Sequence, residues 1–158
     1  MIEVRPILSD ESDATFEQLE TLLENMYSFM LGKGLNIHLS VGGAKILSDS
    51  VRKTAGRNNY LVGAFDTNEM IGFGMASLRV TPPYLGNIRV GAITHIFVLP
   101  EKRRSNAGKL ILDKMEKWLL EKEVHSIELE VLFHNEIGID FWKNNMYKEE
   151  LIKMRKYL

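Results

Sequence analysis

The sequence predicts an α/β domain with a mixed, mostly antiparallel sheet flanked by helices. Three observations carry this reading. Segments such as Ile2–Leu8 and Ile127–Phe133 alternate apolar and polar residues, the period of a half-buried strand. Others, such as Phe16, Leu19, Leu23, Met26 and Met30, recur every three or four residues, the period of one helical face. Between them lies Ile88–Leu99, apolar on both faces, as a central strand covered on both sides must be. The order of elements reads β-α-α-β-β-β-α-β-α-β.

Each element has a local cause. Ile2–Leu8 forms the first strand, and Ser9–Ser12 supplies turn and cap chemistry for the helix that follows. Gly32 and Gly34 stop that helix. A second helix runs from about Ala44 to Thr54, with Gly42 and Gly43 loosening its start. Tyr60–Phe65 and Ile71–Val80 are strands joined through Asp66-Thr67-Asn68 into a hairpin. Thr81–Asn87, with Pro82, Pro83 and Gly86, turns the chain into the long strand. The next helix starts near Asn106 and carries Leu110, Ile111, Met115, Trp118 and Leu119 on one face. Ile127–Phe133 is a strand, Asn135–Asn144 a short helix, and Tyr147–Tyr157 is expected as a last strand.

Composition narrows the function. With 158 residues, 45% of them hydrophobic, the chain fits one domain spanning residues 1–158. Twenty basic residues nearly balance 21 acidic ones, for a net charge of -1, so no global field draws it to nucleic acid or a membrane surface. The absence of cysteine excludes disulfides, thiolate catalysis and cysteine-ligated zinc, and suits a reducing, cytoplasmic setting. No metal-ligand spacing stands out. MIEVRPILSDESD has no basic start followed by an apolar core and does not read as a signal peptide, and no apolar run approaches membrane-spanning length.

The stretch Val98–Leu112, VLPEKRRSNAGKLIL, is the richest in chemistry. A strand passes through Pro100 into a basic turn of small residues and then into a helix. The amides of a first helical turn have no partner in the helix, and the helix dipole favours an anion there. Ser105, Ala107 and Gly108 allow close approach to the backbone, while Arg103 and Arg104 add charge and bidentate donors. The P-loop pattern fails, because Arg103 holds its early glycine position and Leu110 follows Gly108-Lys109. The Rossmann fingerprint fails too: Gly72-Phe73-Gly74 lies inside a strand and lacks a third glycine. Those glycines read instead as places where another element packs closely.

Val98-x-Pro100-x-x-Arg103-x-x-Asn106-x-Gly108 resembles the acetyl-coenzyme A loop of the GCN5-related N-acetyltransferase (GNAT) family, [Q/R]-x-x-G-x-[G/A] after a strand ending in Val-x-Pro. Asn135-x-x-Gly138-x-x-Phe141-Trp142 with Met146-Tyr147 resembles the family's N-x-x-A-x-x-[F/L]-Y…G-F segment, and the element order agrees over nearly the whole chain. The resemblance implies acetyl-CoA as acyl donor, with no metal. It places the pantetheine arm against Phe97, Val98 and Leu99, where the strand splays from its parallel neighbour. It sets the pyrophosphate on the amides of Arg103, Arg104, Ser105, Asn106, Ala107, Gly108 and Lys109. It gives Asn135 to the pantetheine, and Phe141 and Trp142 to the thiol end. It also implies a backbone N–H, from Val98, for the developing oxyanion, direct transfer in a ternary complex, and a small-molecule or peptide amine as acceptor. A homodimer would be unsurprising.

Three departures bear on the chemistry. Asn106 replaces a glycine; asparagine tolerates positive φ and can also cap a helix. Trp142 replaces the tyrosine that many members use as general acid, and an indole N–H is no acid at neutral pH. Tyr147 and Tyr84 are the candidate replacements. Ala92 and Thr94 occupy the face where a base often sits, and strand alternation points His95 to the opposite face unless a bulge re-aims it. His95 has the right chemistry for a base; His134 is a further candidate, and Glu128 and Glu130 read as a polar strand face. Two functions stay open: N-acetyltransfer to a primary amine, and a non-catalytic acyl-CoA-binding or interaction domain on the same fold.

Overall fold

The computed structural model describes residues 1–158. β1 (Ile2–Pro6) leads into α1 (Asp13–Leu31) and α2 (Gly43–Thr54); β2 (Asn59–Asp66), β3 (Glu69–Val80) and β4 (Arg89–Val98) follow; then come α3 (Ala107–Glu121), β5 (Ile127–Leu129) and α4 (Glu136–Asn144). The five strands form one sheet in chain order, antiparallel throughout except for the parallel β4–β5 pair. Fold class and layering agree with the sequence reading.

Two apolar layers cover the sheet. Phe16, Leu19, Leu22, Leu23 and Met26 of α1, with Ala44 and Val51 of α2, pack on Leu61, Phe73, Met75 and Phe97. Ala107, Ile111, Leu112, Met115 and Leu119 of α3, with Trp142 of α4, pack on Val62, Ala64, Ile71, Ala76 and Ile93. Each large side chain so buried contributes about 1.5–3 kcal/mol. Ser12 caps α1 by accepting from the Thr15 amide at 3.2 Å. α3 lies unusually close to the sheet. A Cβ at Gly74 would stand 2.5 Å from Ile111 Cγ2 and 2.8 Å from Met115 Sδ, so the glycine is there to admit the helix.

The sheet differs from expectation at its far edge. β5 forms only over Ile127–Leu129, and Glu130–Phe133 leave the ladder. The last pair, Ile93 with Leu129, lies next to the irregularity of β4, and beyond it the two segments do not pair. The expected last strand, Tyr147–Tyr157, does not form. Its apolar residues Leu151, Ile152 and Met154 stay about 90% exposed. The segment is tied to the rest by ion pairs, Lys143 with Glu149 at 2.6 Å and Lys153 with Glu130 at 3.3 Å. A three-residue β5 offers too short an edge to order it, and Leu151-Ile152 breaks the strict alternation that one covered face needs.

The close approach at Gly74 predicts that Gly74→Ala forces Ile111 and Met115 off their positions. The expected cost is about 1–3 kcal/mol, a fall in melting temperature of roughly 2–10 °C by calorimetry. An unchanged melting temperature would show that α3 can move aside freely.

Candidate functional site

The site begins with an irregularity in β4. Met75 pairs with His95 but its neighbour Ala76 pairs with Ile93, so β4 carries Thr94 as an extra residue. A bulge of this kind bends and twists its strand and re-aims the side chains beyond it. Before it, Ile93 faces α3; after it, Ile96 and Val98 face α3, while Phe97 and its alternate His95 share the α1 face with Met75. Simple alternation, which sent His95 away from the face of Ala92, is therefore corrected. The bulge puts both on the face covered by α1 and α2. β5 pairs with β4 only over Gly91–Ile93, so from Thr94 to Val98 the strand is bonded to β3 on one side and open on the other. This is the splay at Phe97, Val98 and Leu99 that the resemblance implied. The Leu99 amide itself is committed to Ile71 O at 2.9 Å.

Beyond Leu99 the chain makes a short 3-10 turn, Pro100–Lys102, and then the basic loop. Arg104 and Asn106 both take left-handed backbone conformations, with φ of 66° and 67°. Asn106 makes no side-chain cap bond, so its role is to hold the turn, not to cap α3. The amides of Arg104, Ser105, Asn106, Ala107, Gly108 and Lys109 donate to no acceptor within the protein. Alternating backbone hands followed by a helix N-terminus form a concave nest of N–H groups. The Arg103 amide is the exception, donating to Pro100 O at 3.3 Å. The loop is anchored by Lys102 Nζ on Asp66 Oδ2 at 2.9 Å and by Ser105 Oγ donating to Lys102 O at 2.6 Å.

The basic side chains do not all face the nest. Arg103 folds back over the sheet: its Nε donates to Val98 O at 3.2 Å, and its guanidinium lies 4.6 Å from the Phe29 ring and 5.9 Å from Phe97. Burial lowers its pKa without threatening its charge. Lys109 pairs with Asp113 one turn on. Phe29 was not foreseen as a site residue; on sequence it is only one more apolar residue of α1.

α4 supplies the second wall. Asn135 caps it, its Oδ1 accepting from the Gly138 amide at 3.1 Å. A Cβ at Gly138 would stand 2.5 Å from Asn135 Nδ2, which explains glycine where the resembling pattern has alanine. The Phe141 ring lies by the start of α3, 3.5 Å from where a Cβ of Gly108 would be. Trp142 does not join it in an open pocket. It is buried against α3, edge-on to Phe141 and to Tyr147 at 5.1 and 5.2 Å. Tyr147, a candidate acid, is engaged by α3. Its hydroxyl donates to Glu116 Oε1 of α3 at 2.9 Å, on the sheet face opposite His95. Burial and that carboxylate raise its pKa, making it a poor proton donor. Tyr84 lies exposed in the β3–β4 turn. His134 lies beside Gly34 of the α1–α2 loop, and Glu128 and Glu130 are spent on surface ion pairs with Arg79 and Lys153.

His95 is the remaining acid–base group of the site. Its Nδ1 lies 3.0 Å from Thr94 Oγ1, and its Nε2 has no partner within the protein. Desolvation pushes its pKa down to about 4, so it is neutral at pH 7.

Compared with known protein families, the chain matches the acetyltransferase (GNAT) family over residues 21–146, which takes in the bulge, the nest and α4. The chain belongs to the GNAT acetyltransferase family. No curated protein matches it in sequence. Among solved structures, this GNAT domain is similar to the aminoglycoside N-acetyltransferase AAC(6')-Iy in complex with the bisubstrate analogue CoA-S-monomethyl-acetylneamine, with a TM-score of 0.76 and 16% identity over 100% of this chain and 99% of that one. It is similar to a mutant form of the BH1408 protein from Bacillus halodurans, with a TM-score of 0.82 and 17% identity over 99% of each chain. It also resembles a predicted acetyltransferase of Clostridium acetobutylicum solved with acetyl-CoA, with a TM-score of 0.75 and 18% identity over 98% of this chain and 96% of that one.

Two predictions follow from this GNAT site. Asn106→Ala puts an ordinary residue into the left-handed region and should cost about 1 kcal/mol, read as a fall in the urea midpoint. It should also weaken acetyl-CoA binding by calorimetry; full retention of both would show the turn to be unstrained. For His95, the unfolded chain takes up a proton near pH 6.5 and the folded chain only near pH 4. Stability from this group is therefore complete above pH 6.5 and lost as pH falls toward 4. His95→Gln should shrink the difference in unfolding free energy between pH 7 and pH 4 by roughly 1–3 kcal/mol, discounted because the ring is partly solvated. An unchanged difference would refute the burial argument.

Proposed function

We propose that the protein is an N-acetyltransferase that moves the acetyl group of acetyl-CoA to a primary amine by direct transfer in a ternary complex. The observation that carries this reading is the run of free amides from Arg104 to Lys109 beside the open edge of β4. The nest suits a pyrophosphate in charge and shape. The open edge from Thr94 to Val98 suits an extended arm that carries amide groups of its own. Asn135 Nδ2, left free by the capping geometry, gives a further donor at the far wall. Acetyl-CoA supplies the activated thioester.

The chain's own residues do the rest. Amines with pKa values near that of lysine are protonated at neutral pH and must lose a proton before or during attack. His95 is neutral, and its unbonded Nε2 receives that proton directly or through water. Backbone N–H groups at the splayed end of β4, Val98 among them, face the developing oxyanion. No side-chain acid stands at the thiol end, since Trp142 is buried and Tyr147 is tied to Glu116. A thiolate leaves without one, because its conjugate acid has a pKa near 8.5. The acceptor is a small-molecule or peptide amine. A hollow of about 250 Å³ between α1 and the following loop carries Glu24, a carboxylate that suits a cationic ligand. The AAC(6')-Iy complex, with its acetylneamine analogue, makes amino sugars the first compounds to test.

The missing acid also favours a second reading, an acyl-CoA-binding domain without turnover. One pair of measurements separates the two. Calorimetry should show acetyl-CoA binding, and a free-thiol assay over aminoglycosides, small amines and peptides should show CoA release with at least one class. No binding at high micromolar acetyl-CoA sinks both readings; binding with no release across the panel leaves only the second.

A further inference from the structure

Thr94 is more than the residue that interrupts the ladder. Its hydroxyl lies 3.3 Å from Met75 O and 3.0 Å from His95 Nδ1. A hydroxyl has one proton to give, and a carbonyl oxygen can only accept. If the proton went to His95, two oxygen lone pairs would face each other at Met75. Both contacts are hydrogen bonds only when Thr94 donates to Met75 O and accepts from His95 Nδ1–H. We propose that Thr94 is a positioning residue that fixes His95 in the Nδ1–H tautomer, leaving the Nε2 lone pair free on the α1 face of the sheet.

The bulge makes the arrangement possible. In an unbroken strand, adjacent side chains point to opposite faces and do not meet. The extra residue lets Thr94 and His95 touch, and the same irregularity turns His95 onto the face it serves. An imidazole without that acceptor is free to carry its proton on Nε2, which would block the lone pair. His95 shares its face with Met75 and Phe97, and the one hydrogen bond its ring makes within the protein is to the Thr94 hydroxyl. The consequence for rate rests on the acetyl-transfer reading; the tautomer itself does not.

The experiment reads the tautomer directly. Long-range proton–nitrogen NMR on histidine-labelled protein at pH 7, with the His95 signals assigned by their loss in His95→Gln, should show Nδ1 protonated and Nε2 bare. Thr94→Ser should preserve that pattern, and Thr94→Val should populate the Nε2–H form. With an accepted amine, Thr94→Val should lower kcat roughly 10-fold or more, leave KM for acetyl-CoA nearly unchanged, and be rescued by Thr94→Ser. A wild-type His95 protonated on Nε2 overturns the proposal, as does a Thr94→Val spectrum identical to wild type. If Thr94→Val does not fold, the wild-type and Thr94→Ser spectra decide. If no amine is acetylated, acetyl transfer fails while the NMR result still stands or falls alone.

Discussion

At Thr94, β4 carries one residue more than β3 can pair, and much of the site's architecture depends on that mismatch. The register jump hands Ile93, Ile96 and Val98 to the α3 side and His95 and Phe97 to the α1 side, so both layers receive apolar residues from one strand. The bulge falls one residue beyond the last β4–β5 pair, Ile93 with Leu129. The unpaired edge that results would be a liability on most sheets. Here α1 stands over one face of it, through Phe29 and Arg103, and the basic loop follows at its end. Bulge, splay and nest are thus consecutive consequences along one stretch of chain.

The loop carries backbone strain at two positions. Arg104 and Asn106 both hold left-handed backbone, which an L-residue adopts at a cost of about 1–2 kcal/mol. A free row of amides adds the further cost of unpaired donors, which solvent relieves while the loop is open. The Lys102–Asp66 pair and the Ser105–Lys102 bond hold the turn, and the packing of Ala107, Ile111 and Leu112 against the sheet holds the helix behind it. An anion on the nest meets donors already in place, so little ordering entropy is left to lose.

Much of this was legible in the residues. Alternation and helical spacing placed α1 to α4 and β1 to β4 within a few positions, because those patterns reflect burial, which the fold obeys. The loop's turn geometry was legible because small residues between a strand and a helix mark a tight turn, and Asn106 at positive φ followed from its chemistry. What was not legible depended on single-residue irregularity or on partners distant in sequence. Alternation sent His95 to the wrong face, because nothing in Ile93-Thr94-His95 marks Thr94 as surplus. The bond from the Tyr147 hydroxyl to Glu116 was not legible either, because no spacing rule links the two residues. The segment Tyr147–Tyr157 reads as a strand, yet pairing is a property of two edges, and β5 offers only a short one.

The acid–base inventory explains how the remaining chemistry can be arranged. Trp142 near the end of α4 and Tyr147 just beyond it pack edge-on into the α3 layer and hold α4 in place. That anchoring sets Asn135 and Phe141 at the far wall of the splay, so these buried aromatics decide where the wall stands. On the proposed reading proton handling falls to the opposite face, where His95 is kept uncharged by its apolar surroundings. A neutral imidazole with a pKa of about 4 is a weak equilibrium base. It becomes effective only as the attacking amine gains positive charge and its N–H grows acidic. On the proposed reading the demand placed on His95 is correct direction more than basicity, and direction is what its Nδ1–H bond to the adjacent bulge residue supplies.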